Sequence, residues 1–179
     1  MGHGEIDSIC TQERFQPNLV AHPGPARTIG PKQTPLAFIV HGRDEKTLLE
    51  LKNYIQNVLK WREPVVLRER PSAGKTIIEK FEDHAHAVDC VFVLLTPDDV
   101  ASLDGSNEQK RRSRQNVIFE LGFFYGALER RSGRILLLHK GSIELPSDTD
   151  GIVWMDISDG IESAGEAIRK ELEAALGAC

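Results

Sequence analysis

The sequence predicts an α/β protein built on an open, mainly parallel sheet with helices on both faces. Short apolar runs recur along the chain, each bounded by glycine, proline or charged residues. Between them lie longer stretches whose apolar residues repeat every three or four positions, as on an amphipathic helix. One run, "VDCVFVLLT" (88–96), is apolar almost throughout, which fits a strand buried on both faces. Strand–helix alternation at this spacing favours parallel strands joined by crossover helices.

The elements follow in order. "LAFIV" (36–40) is the first strand, held between Pro35 and "HGRDE". A helix follows from about Asp44, its N-cap, to Lys60, with Leu48, Leu51, Ile55, Val58 and Leu59 at helical spacing. "PVVLRE" (64–69) is the second strand, and "KTIIEKFEDHAHA" (75–87) is a helix burying Ile77, Ile78, Phe81 and Ala85. After the third strand, a polar loop (97–113) leads into "RQNVIFELGFFYGALER" (114–130), a third helix. "RILLLHK" (134–140) and "GIVWMDI" (151–157) are the last strands, and "SAGEAIRKELEAAL" (163–176) is the closing helix. The expected topology is a flavodoxin-like sheet of five strands in the order 2-1-3-4-5.

Residues 1–35 hold five prolines and no sustained periodicity, and are expected to form a flexible leader or linker remnant ahead of one domain, 36–179. A net charge of -5 argues against nucleic acid as a partner, with "KRRSR" (110–114) taken as a solvated loop. Apolar stretches are only strand-sized and no secretory h-region is present, so neither membrane nor export is expected. Cys10, Cys90 and Cys179 are scattered and form no C-x-x-C pair, which fits a reduced, cytoplasmic setting.

Between Asn116 and Leu128 the only charged residue is Glu120. Val117, Leu121, Phe124 and Leu128 form the face assigned to the sheet; at 100° per residue Glu120 lies about 60° off its centre. Burying a carboxylate requires a partner, a raised pKa or a function. In sheets of this order, ligands gather at the carboxyl ends of the strands where strand order reverses, here between the first and third. "HGRDE" (41–45) and "TPDD" (96–99) would face that crevice, flanked by "RERPSAGKT" (68–76). Glu120 either looks into it or pairs with Arg43, Arg70, Lys75 or the basic loop.

Other motifs carry less. "AGKT" (73–76) resembles the end of a P-loop, but Glu69 stands where that pattern needs glycine. His84 and His86, two apart on a helix, do not share a face, and no metal site is expected. No Ser-His-Asp or Cys-His arrangement is present.

In order, "FIVHGRDE", "VVLRERPSAGKTIIEKFE", "VFVLLTPDDV", "RSRQNVIFELGFFYGALER" and "ELPSDTDGI" resemble the TIR-like domain, in particular the nucleotide-binding effectors of cyclic-nucleotide-triggered (CBASS and Pycsar) antiphage defence. The resemblance spans about residues 36–176. It implies an NAD⁺ glycohydrolase, with NAD⁺ as substrate, no separate cofactor, and Glu120 as the catalytic residue. It further implies that His41, Gly42 and Arg43 face the nucleotide, as do Lys75 and Arg70 of the second loop. Several TIR hydrolases carry tryptophan four residues before the glutamate; here that position is Asn116, and the stacking role falls to Phe123. Self-association of TIR-like domains, and a cyclic-nucleotide-sensing domain or partner, are implied as well.

One carboxylate suffices for this chemistry. A glycosidase ordinarily needs a second carboxyl to protonate the leaving oxygen. In NAD⁺ the leaving group is already a pyridinium cation that departs as neutral nicotinamide. Two other functions use the same residues: an interaction module without catalysis, and a nucleoside N-glycosidase or deoxyribosyltransferase using Glu120 on another substrate.

Overall fold

The computed structural model describes residues 34–71, 73–102, 105, 108–128, 133–144 and 153–177. Residues 1–33, Cys179 and all but the first residue of "ELPSDTDGI" therefore lie outside the described residues.

Five strands form the predicted parallel sheet. They are β1 (Ala37–Val40), β2 (Val65–Val66), β3 (Cys90–Leu95), β6 (Ile135–His139) and β7 (Trp154–Asp156), in the spatial order β2-β1-β3-β6-β7. Counting only the strands of this sheet, that is the expected 2-1-3-4-5. The other two strands, β4 (Asp99–Ser102) and β5 (Gln109–Arg112), pair with each other outside it.

Side chains alternate across the sheet and divide the core in two. Ala37, Ile39, Phe92 and Leu94 pack with Leu48 and Leu51 of α1 (Glu45–Asn53) and with Ile168 and Leu172 of α4 (Gly165–Leu176). Phe38, Val40, Val91, Val93 and Leu95 pack with Phe81 of α2 (Ile77–Ala85) and with Val117, Leu121 and Phe124 of α3 (Gln115–Ala127). Phe38, Phe81 and Phe124 meet at ring separations of 4.7 to 6.0 Å, in the tilted and edge-on contacts that aromatic quadrupoles favour.

Four expectations require correction. The first helix does not run unbroken to Lys60: after Asn53 it widens into a π turn, Tyr54–Val58, closed by the Leu59 amide on the Tyr54 carbonyl. The wider turn lets both Tyr54 and Ile55 enter the core, with the Tyr54 hydroxyl donating to the Gly165 carbonyl at 3.0 Å, and leaves Val58 exposed.

The second strand stops after Val66 because Leu67–Glu69 curl into a 3₁₀ turn. Arg68 and Glu69 there form ion pairs with Glu45 and Lys52 of α1 in place of strand pairing. Ile77 and Ile78 are 59% and 46% exposed rather than buried, and the buried positions of α2 are Phe81 and Ala85, one and two turns further on. The first turn of α2 is held by a capping box between Thr76 and Glu79.

Finally, the polar loop contains the β4–β5 ribbon. Its outer strand is fastened by the Glu144 amide on the Arg111 carbonyl at 2.7 Å.

Candidate active site

Strand order reverses between β1 and β3, and the loops leaving their carboxyl ends are joined there by Asp98. Its carboxylate accepts the backbone N–H of Arg43 at 2.9 Å and the hydroxyl of Thr96 at 3.0 Å. Gly42 is what permits this approach: a Cβ on it would lie 1.6 Å from the Asp98 Oδ2. The backbone of Gly42 and Arg43 is thus fixed, while the Arg43 side chain is exposed at the rim and forms no ion pair among the described residues. Asp98 was missed by sequence reasoning. The aspartate of "TPDD" is visible, but its partner lies 55 residues away.

His41 follows the alternation of β1 toward the α1 side, where Arg68, Glu45 and Glu69 surround it. Burial, and then the Arg68 guanidinium, hold its pKa below the ordinary value, so the ring is neutral near pH 7. Its Nδ1 is buried without a hydrogen-bond partner.

The rim is braced on the other side by Asp44. This residue accepts the Thr47 amide at 3.0 Å and the Lys140 ammonium at 2.9 Å. Burial pushes the Asp44 pKa up, but these donors outweigh it and hold the group at about 2. The end of β6 is thereby tied to the start of α1.

In the loop after β2, Ala73 and Gly74 both have positive φ, 45° and 77°. Lys75 is exposed and paired with Asp83 of α2. Arg70 is exposed as well, and its carbonyl accepts the Lys80 ammonium at 3.2 Å. Among the described residues neither Arg70 nor Lys75 is bonded to Glu120.

Glu120 itself is half-buried on α3, beside the buried face of Val117, Leu121 and Phe124. Among the described residues it has no hydrogen bond and no ion pair. Burial alone pushes its pKa up to about 7. The structural ion pair with Arg43, Arg70, Lys75 or the basic loop is therefore absent. What remains is a desolvated carboxyl that is a proton acceptor near neutrality, poised for acid–base or electrostatic work.

One turn earlier Asn116 is exposed and has no hydrogen-bond partner among the described residues. Phe123 is half-buried and packs against Phe81 and Phe124, with centroids 5.3 and 5.4 Å away. No helix among the described residues is long and apolar enough to cross a membrane, and no cluster of potential metal ligands occurs among them.

Comparison with known proteins adds a family. Residues 37–159 match the family model described as CAP12/Pycsar effector protein, TIR domain. The chain is 43% identical over 122 residues to the uncharacterized protein YuaY of Escherichia coli strain K12, covering 68% of this chain and 40% of that one. It is 29% identical to the protein tirC of Dictyostelium discoideum over 70% of this chain and 65% of that one. To the Pycsar effector protein PaPycTIR of Pseudomonas aeruginosa it is 34% identical over 80 residues, 45% of this chain and 25% of that one. The chain thus spans less than two thirds of the length of each of these relatives.

Proposed function

The chain belongs to the CAP12/Pycsar effector TIR-domain family, and from that premise we propose that it is an NAD⁺ glycohydrolase serving as a defence effector. The observation that carries the reading is Glu120: half-buried on α3, unpaired among the described residues, and pushed up to about 7 by burial.

In the proposed reaction the bond between ribose C1′ and the nicotinamide ring nitrogen breaks, and its electron pair stays with the ring. The departing base is neutral and needs no proton. The Glu120 carboxylate stabilises the oxocarbenium-like ribose. It then accepts a proton from the water that adds to C1′, giving ADP-ribose. The surrounding apolar side chains strengthen both effects by lowering the local dielectric.

The raised pKa gives the pH profile a definite sign. Because the carboxylate form is required, kcat/KM should fall about tenfold per pH unit below about 7 and level off above it. Bound pyridinium lowers the pKa of Glu120, so the limb in kcat should lie at lower pH than the limb in kcat/KM. A profile flat from pH 5 to 8 would count against Glu120 as the titrating base.

In this reading Gly42 and the Arg43 side chain meet the nucleotide at the crevice rim. Arg43→Ala should raise KM several-fold with kcat little changed, since a rim charge contributes to ground state and transition state alike. An unchanged KM would remove Arg43 from the binding site. Lys75, Arg70 and His41 are assigned to the walls of the site, and Phe123 to packing against the substrate's rings. Activation by assembly of TIR domains, under control of a cyclic-nucleotide sensor, completes the proposal. Exposed Ile77, Ile78 and Phe119 supply apolar surface on α2 and α3 for such contacts.

A further inference from the structure

Glu120 shares its side of α3 with Asn116 and Phe123. At 100° per residue Asn116 lies about 40° from Glu120 and Phe123 about 60°, in the same rotational sense, so the three form one stripe along the helix. Phe123 shows where the stripe points: its ring lies 5.3 Å from that of Phe81, so this side of α3 borders α2. The far end of α3 is held at the amino edge of the sheet, where the Leu128 carbonyl accepts Arg134 at 3.2 Å, just ahead of β6. A helix of 13 residues is about 20 Å long, so Asn116 and Glu120 in its first turns lie toward the opposite, carboxyl edge.

Asn116 is exposed and has no hydrogen-bond partner among the described residues. The helix itself gives no reason for asparagine here. The residue is not the N-cap, which is Arg114, and asparagine is a poorer helix former than alanine. What it supplies is a neutral amide, donor and acceptor together, one turn from an unpaired carboxyl. Side chains four apart on a helix are neighbours, their Cβ atoms about 5–6 Å from each other.

We propose that Asn116 selects the leaving base, pairing its side-chain amide with the carboxamide of the nicotinamide ring. This rests on the assignment of Glu120 to the ribose. The carboxamide is attached meta to the ring nitrogen bonded to C1′, so a base cleaved at Glu120 carries it about one helical turn of 5.4 Å from the reacting carbon. Two primary amides face to face match fully: the Asn116 Nδ2–H donates to the carboxamide oxygen, and Oδ1 accepts from the carboxamide N–H. A nicotinate base would bring a carboxylate there instead. It has no N–H to offer, and its charge would stand beside that of Glu120. Asn116 thus favours NAD⁺ over its deamidated counterpart, nicotinic acid adenine dinucleotide.

The test uses two readouts on the whole chain. Nicotinamide alone is titrated while the side-chain NH₂ group of Asn116 is followed by NMR. Its resonances should shift, nicotinate should leave them in place, and Asn116→Ala should weaken nicotinamide binding at least fivefold. In turnover, the wild-type preference in kcat/KM for NAD⁺ over nicotinic acid adenine dinucleotide should shrink at least tenfold in Asn116→Ala. Position 116 is exposed and alanine favours the helix, so this variant should melt no lower than the parent and its losses are not those of misfolding. Undisturbed Asn116 resonances up to the solubility limit of nicotinamide, or the parent's preference retained in folded Asn116→Ala, would overturn the assignment. Nicotinamide binding needs no turnover: a chain that takes nicotinamide over nicotinate through Asn116 yet leaves NAD⁺ intact supports the contact and refutes the hydrolase. A chain that cleaves NAD⁺ with a preference independent of residue 116 does the reverse.

Discussion

Glu120→Gln is expected to yield a protein that is catalytically dead and, above neutral pH, more stable than the parent. The two effects share one cause. The Glu120 carboxyl is raised from 4.5 to about 7 by burial, with no donor to compensate. Between those values the folded protein retains a proton that the unfolded chain has lost, so stability declines as pH rises through this window and stays lower above it. At 1.36 kcal/mol per unit, and discounted for partial exposure, the decline is about 2–3 kcal/mol. Glutamine is nearly isosteric and does not titrate, so the variant escapes the decline. Denaturant melts at pH 5 and pH 8 test this directly: the variant should gain about 2 kcal/mol on the parent between them. Parallel stability curves would mean that Glu120 is better solvated or better paired than its surroundings indicate. Hydrolysis should fall by about 10²–10⁴, the range for loss of a positioned base. A functional group held at a cost in stability is a familiar compromise of active sites.

Gly42→Ala should be the most damaging small substitution in the site. The new methyl would fall 1.6 Å from Oδ2 and 2.8 Å from Cγ of Asp98, so the carboxylate must leave. With it go the bonds to the Arg43 amide and the Thr96 hydroxyl, which fix the β1 loop against the β3 loop. Overpacking together with two lost hydrogen bonds should cost about 2–4 kcal/mol. Misplacing the rim by about 1 Å should cost on the order of 10²-fold in kcat/KM. A double-mutant cycle isolates the cause. Asp98→Ala alone should destabilise, but in the Gly42→Ala background it should do little further harm, because the carboxylate is already displaced. Additive losses would show that the glycine is required for some other reason.

Much of this architecture is legible in the chain because it is local. The face of α3 follows from residue spacing: Val117, Leu121 and Phe124 are buried, and Glu120 sits beside them. β3 is recognisable because it is apolar on both sides and lies at the sheet's centre. Long-range pairing leaves no such mark. The clamp between Asp98 and the Arg43 amide joins loops that show nothing but turn residues in the sequence. The β4–β5 ribbon is polar and exposed along β5, so no alternation announces it, and it is held by Glu144 from beyond β6. β2 is cut short by the pairing of Arg68 and Glu69 with α1, which no propensity encodes. The same ion pairs surround His41, and nothing in "HGRDE" announces their partners in the loop after β2.

The central claim is cleavage of NAD⁺ by Glu120, and the most direct measurement is nicotinamide release. NAD⁺ is incubated with the chain over a wide range of protein concentration, including the chain fused to a trimeric coiled coil that forces it together. Glu120→Gln in the same fusion serves as control. The account predicts nicotinamide and ADP-ribose in equal amounts, rising more steeply than protein concentration, strongest in the fusion and absent from the variant. Intact NAD⁺ in the clustered wild-type protein, or equal release by clustered Glu120→Gln, would contradict it.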